Sequence, residues 1–198
     1  MDCESLSHWI MDKKRLVENK RYKIEVELAN KELDFLQKHS RKVTYLEGNH
    51  ECWVEQYIDK HPEVEGMMEI PYVLNLQQRG IEYIKYNELY DCGHIAFTHG
   101  MYANKYHANK HMTTLGCNIC YGHVHRVQND MMNMKMQKPI MAYGLGCLCD
   151  HSPAYLKGRP ANWINGFGIC YFQENDNFNL YTVNIIDGSF IWEGKIYK

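Results

Sequence analysis

The chain has 198 residues, of which 45% are hydrophobic and 13% aromatic, enough apolar material for one compact domain with a sizeable core. Its net charge of −2 provides no global basic field for nucleic acid and no acidic tail of the kind that stays disordered. Residues 1–10, MDCESLSHWI, carry neither a basic start nor an apolar run, and stretches such as 139–145 are far too short to span a bilayer; the expectation is a soluble cytoplasmic protein with no membrane partner.

Ser5 or Ser7 can cap a helix starting near His8. Residues 12–39 are rich in Lys, Glu, Leu and Arg without Pro or Gly, which predicts one long helix, or two with a break near Asn19. Leu28, Leu33, Phe35 and Leu36 are expected to form part of its apolar face. A short strand over 42–46 runs into Glu47-Gly48-Asn49-His50-Glu51. A second helix is predicted over 52–60 and ended by Pro62, and 64–78 reads as helical or irregular, interrupted by Pro71. From Gly80 the pattern turns to β. Strands are expected over 81–86, 94–98 and 118–121, with a helix over 104–114 between the last two. Further strands are expected over 126–132, 140–145, 166–174, 179–185 and 189–192, with turns at 175–177 and 187–188. The outline is α/β early and mostly β late, consistent with two packed sheets flanked by helices.

Eight cysteines are many for such a chain. With nothing indicating export they read as reduced, mostly buried thiols. Cys117 and Cys120 form a C-x-x-C and Cys147 and Cys149 a C-x-C, so a four-thiolate zinc site is conceivable, but positions i and i+3 of a strand face opposite sides.

Three segments share one design, a strand end followed by a glycine-bearing turn that presents histidine or asparagine. They are Gly48-Asn49-His50-Glu51, Thr98-His99-Gly100 and Gly122-His123-Val124-His125. Loops at strand ends are where rigid scaffolds place ligands, and imidazole with amide or carboxylate oxygen suits Zn, Mn, Fe and related ions. In an extended H-x-H the two imidazoles lie on one side and can face one metal or two. A lone His is more often structural; three such segments in order argue for a metal site.

These blocks, in this order and at these strand ends, resemble the last three blocks of the calcineurin-like metallophosphoesterases of phage and bacterial type. The resemblance covers most of the chain, and even Asp2-Cys3-Glu4-Ser5-Leu6-Ser7-His8 is similar to the sequence after that family's second block. It implies a single domain over 1–198 with an α/β (α+β) fold, the four-layer α-β-β-α sandwich, lacking its first strands. It also implies a dinuclear site for divalent ions (Mn, Zn, Fe, Ni or Mg) and hydrolysis of phosphomonoesters or phosphodiesters by metal-activated water. By position, Asn49, His99 and His123 resemble ligands of the second metal and His125 a ligand of the first. His50 resembles the catalytic histidine, which contacts a phosphoryl oxygen or protonates the leaving group, and Glu51 can orient it.

The family's Asp-x-His and Gly-Asp-x-x-Asp blocks are absent; Asp2 matches only the last, supporting Asp of the second. The expectation is therefore a mononuclear site at best and impaired hydrolysis by this chain alone. A fragment, half of a split enzyme completed by a complementary N-terminal polypeptide, and a non-catalytic scaffold are the alternatives, and unpaired strand edges would favour self-association. A DNA nuclease is a further alternative that the charge does not support. His107 and His111, i and i+4 on a helix, read as surface or supporting residues. Tyr102, Asn104, Lys105 and Tyr106 are candidates for a substrate groove, and Arg126 for a phosphate contact. His94 reads as structural, His151 could reach the site but is not counted among its residues, and Trp9, Trp53, Trp163 and Trp192 read as packing.

Overall fold

The computed structural model describes residues 1–6, 21–133, 135–151, 156, 159–175 and 177–198. The cap at Ser7, the helix start near His8, Trp9 and the break near Asn19 lie outside them. The class is mixed α+β, with four α-helices and eleven strands among the described residues. Two compact units divide the chain, Met1–Tyr86 and Asn87–Lys198.

In the first unit, helix α1 spans Tyr22–His39. Tyr22, Val26, Ala29 and Leu33 recur at the spacing of one helical stripe and pack on the core of Cys3, Val54, Ile70, Leu74, Leu76 and Ile81. Of the expected apolar face only Leu33 is buried. Leu28 and Phe35 are exposed because at 100° per residue they fall off the 22/26/29/33 stripe, whereas Leu36 continues the stripe and is exposed in the last turn of the helix. Arg79 ties α1 to the segment after it. Its guanidinium donates to Gln37 Oε1 and Asn30 Oδ1 (2.8 and 3.1 Å) and pairs with Asp34 at 2.6 Å.

Strand β1 (Thr44–Leu46) pairs in parallel with β2 (Glu82–Ile84). A parallel pair needs a crossover, here made by α2 (Cys52–Lys60), a 3₁₀ turn at Pro62–Val64 and α3 (Ile70–Val73). Pro71 does not interrupt a helix. It lies in the first turn of α3, where a missing N–H costs nothing.

In the second unit the sheet order is β3 (Tyr90–Asp91), β4 (Ala96–Thr98), β5 (Ile119–Tyr121), β7 (Ile140–Gly144), β6 (Gln128–Met132). β4, β5 and β7 run parallel, and β3 and β6 flank them antiparallel. Their three C-terminal ends therefore open on one edge of the sheet. Helix α4 (His107–Leu115) is the crossover from β4 to β5 and ends on Gly116, whose φ of 67° returns its N–H to Met112 O. Ala108 and Met112 pack with Ala96, Ile119, Tyr121 and Ala142 as the core. Two antiparallel pairs complete the unit, β8 (Asn165–Phe172) with β9 (Phe178–Ile185), and β10 (Phe190–Trp192) with β11 (Lys195–Tyr197). β3 and β11, two and three residues long, add to the strands expected from the sequence.

All eight cysteines are free, but only Cys3 and Cys120 are buried, so the expected mostly buried set is corrected. Of the other six, only Cys170 lies in a strand; Cys52 opens α2, and Cys92, Cys117, Cys147 and Cys149 lie on connecting segments, which run over the surface. No described helix is long and apolar enough to cross a membrane.

Candidate metal centre

In the first unit, Glu47-Gly48-Asn49-His50-Glu51 follows the C-terminal end of β1 and leads into α2, whose N-cap is Glu51. His50 stacks on Trp53, one helical turn along, with ring centroids 4.2 Å apart. Its Nδ1 lies 4.0 Å from the Asp2 carboxylate. Glu51 is buried, and its carboxylate accepts a hydrogen bond from the Tyr45 hydroxyl (3.1 Å) and pairs with the Met1 amino group. Asp2, rather than Glu51, is the carboxylate beside the His50 ring. Asn49 occupies the turn between strand and helix, half-buried.

In the second unit, His99 follows β4 and His123 and His125 follow β5. Neighbouring parallel strands place these residues on adjoining loops, and Gly122 N–H donates to His99 O (3.0 Å), locking the loops together. His99 Nε2 and His123 Nδ1 are 3.2 Å apart. Two imidazole nitrogens on one tetrahedral zinc ion are separated by about 3.3 Å, the edge of a tetrahedron with roughly 2.0–2.1 Å bonds. The separation matches that of two imidazoles on one ion; in the structure the two nitrogens meet as a ring-to-ring hydrogen bond, which an ion would replace.

The H-x-H segment is not extended. His123 and His125 both have left-handed backbone (φ 62° and 58°), and Val124 N–H folds back onto Gly122 O at 2.7 Å. The expectation of two imidazoles side by side on a straight strand is corrected, since two left-handed residues curl the chain and give each ring its own neighbours. Non-glycine residues in this region are uncommon and carry strain. His125 stands against Trp163, with ring centroids 4.4 Å apart, and its Nδ1 is 3.7 Å from Cys149 Sγ. Among the described residues, one set of three metal-ligating side chains has donor atoms all within 4.8 Å of one another: His125, Cys147 and Cys149.

No family model, curated protein or solved structure matches this chain. What the site can do therefore rests on its own residues.

His107 and His111 are fully buried, behind this edge of the sheet rather than on the surface. His111 Nδ1 donates to His107 O (2.7 Å), which leaves Nε2 to accept from Met101 N–H (2.9 Å) and Tyr102 N–H (3.3 Å). A neutral imidazole of fixed tautomer thus holds the loop after His99. Burial pushes the His111 pKa down. His107 Nδ1 lies 2.5 Å from the Tyr121 hydroxyl. Burial, with Arg126, His111 and His123 nearby, lowers its pKa to about 4. Gln128 Nε2 and Arg126 Nη2 both donate to Lys105 O (3.0 and 3.2 Å), and Gln128 Oε1 receives Ala108 N–H at the start of α4 (2.9 Å). Arg126 and Lys105 therefore shape the loop at 101–106.

The paired thiols at 147 and 149 were legible in the sequence only as a C-x-C; their histidine partner depended on β5 and β7 being neighbours. Cys117 and Cys120 do not join them. Cys120 is buried in β5, where desolvation raises its pKa to about 12, and Cys117 packs beside the core.

Proposed function

We propose that this chain is a metal-dependent phosphoesterase of the calcineurin-like type, with a four-layer α-β-β-α sandwich, acting on phosphomonoesters or phosphodiesters. The observation that carries the reading is the 3.2 Å approach of His99 Nε2 to His123 Nδ1 on adjoining ends of parallel strands. His99 and His123 would hold the ion, and the sequence pattern adds His125 as a further imidazole. When bound, a divalent ion supplies positive charge against phosphoryl oxygens and acidifies a water. His50 would deliver a proton to the departing alcohol. The Asp2 carboxylate lies 4.0 Å from its Nδ1, and the Trp53 face fixes the ring plane. We place the protein in the cytoplasm, where exposed thiols stay reduced.

The test is hydrolysis of bis-p-nitrophenyl phosphate with Mn, Zn, Fe, Ni or Mg added singly, alongside metal analysis. His99→Ala is expected to lose both metal and turnover. His50→Gln should lose turnover at least about 100-fold, within the range of a general acid, and keep the metal. Undiminished turnover in His50→Gln would remove His50 from the reaction, and a wild-type chain that takes up none of these ions would end the reading.

A further inference from the structure

A second chemistry lies on the same sheet edge. Cys147 and Cys149 follow β7 on the loop beside His125. The chain bends at 148 and 149, and Leu148 between the two thiols is 75% exposed. We propose that His125, Cys147 and Cys149 form a thiolate–imidazole zinc site with one open coordination position. This inference shares His125 with the phosphoesterase reading but rests on donor geometry and holds without that reading.

Three observations support it. The first is distance. A tetrahedral zinc ion with roughly 2.3 Å bonds to sulfur and 2.0–2.1 Å to nitrogen separates S from N by about 3.6 Å. Cys149 Sγ and His125 Nδ1 are 3.7 Å apart, and all three donors lie within 4.8 Å of one another.

The second is scaffolding. Ile164 and Asn165, leading into β8, clamp both loops. Ile164 N–H donates to His125 O (2.9 Å), and Ile164 O accepts Cys147 N–H (2.9 Å). The Asn165 amide donates to Cys147 O (3.2 Å) and Cys149 O (2.9 Å). Gly146 permits this approach, since a Cβ there would lie 2.4 Å from Ile164 O. Ligands held through their backbones pay little ordering entropy when the ion arrives.

The third is charge. Two thiolates carry −2 and offset a divalent ion, which imidazoles and amides cannot do. Binding releases the two thiol protons to solvent and forms two Zn–S bonds. Sulfur donors select zinc over Mg and Mn. Three protein ligands leave a fourth position for water or a substrate atom, the arrangement of reactive rather than purely structural zinc.

Cobalt(II) substitution of the purified chain tests this directly. Near-ultraviolet sulfur-to-cobalt charge-transfer absorption together with tetrahedral visible bands is the expected result. Cobalt uptake without thiolate absorption overturns the proposal, as does failure to take up cobalt or zinc at all. In zinc titrations against a chromophoric chelator, Cys149→Ser should lose affinity by more than the roughly 10- to 100-fold that removal of a supporting partner costs. Asn165→Ala should lose affinity within that range while keeping the charge-transfer band, and Cys52→Ser should change nothing. Zinc should slow alkylation of Cys147 and Cys149; equal alkylation rates with and without zinc refute the site even if the serine variant fails to fold. Loss of the thiolate band leaves the hydrolysis test of the phosphoesterase reading untouched, and loss of hydrolysis leaves the band.

Discussion

His107 makes acid stability a sharp test of how this sheet edge is built. Its ring is fully buried, and burial lowers its pKa from 6.5 to about 4. The folded state holds it neutral, whereas the unfolded chain protonates it near 6.5. Its contribution to stability is therefore complete above pH 6.5, falls as pH drops below that value, and levels off near pH 4. Linkage through these two values gives a loss of about 2 kcal/mol at pH 5 relative to neutral pH. Arg126, His111 and His123 face the ring and add to the resistance to protonation. His111 shifts in the same direction, so it steepens the same window. The assay is urea unfolding at pH 7.5 and pH 5 with chelator present, so that proton competition for metal ligands does not contribute. His107→Gln removes the titrating ring. The wild-type minus variant stability should shrink by about 2 kcal/mol between the two pH values. Parallel pH profiles for the two proteins would show that His107 is not held neutral by burial, and the account of the packing beneath the site would be wrong.

Three further perturbations probe the same construction. Gly100→Ala places a Cβ 3.0 Å from His123 Cβ and 3.1 Å from Tyr121 Cδ2 at a φ of 111°; it should cost about 1–3 kcal/mol in urea unfolding and weaken metal uptake by spreading His99 from His123. Tyr121→Phe removes the hydroxyl on His107 Nδ1 while Nε2 has no hydrogen-bond partner among the described residues; leaving a buried ring unsatisfied should cost about 1–3 kcal/mol in the same assay. Gly146→Ala drives its Cβ against Ile164 O and should cost about 3 kcal/mol or more, with zinc affinity falling because the loop carrying both thiols is pushed off its clamp.

The local code of this protein is readable because it acts within a few residues. Helix α2 was expected over 52–60 and spans Cys52–Lys60; Pro62, unable to continue a helix, marks its end. The glycine-bearing turns after β1, β4 and β5 announced themselves through residue types that turns favour. Residue order alone could not decide which loops would be neighbours. The β4–β5–β7 order sets the thiols of one loop beside the imidazole of another, more than twenty residues away in sequence, and closes His99 on His123 through a backbone hydrogen bond. Nor does an i, i+4 pair such as His107 and His111 reveal which way it faces, because a helix of mixed residues buries whichever side the sheet covers. The left-handed backbone at His123 and His125 is likewise a tertiary outcome, since histidine tolerates that region better than most residues but does not demand it, and the surrounding packing must hold it.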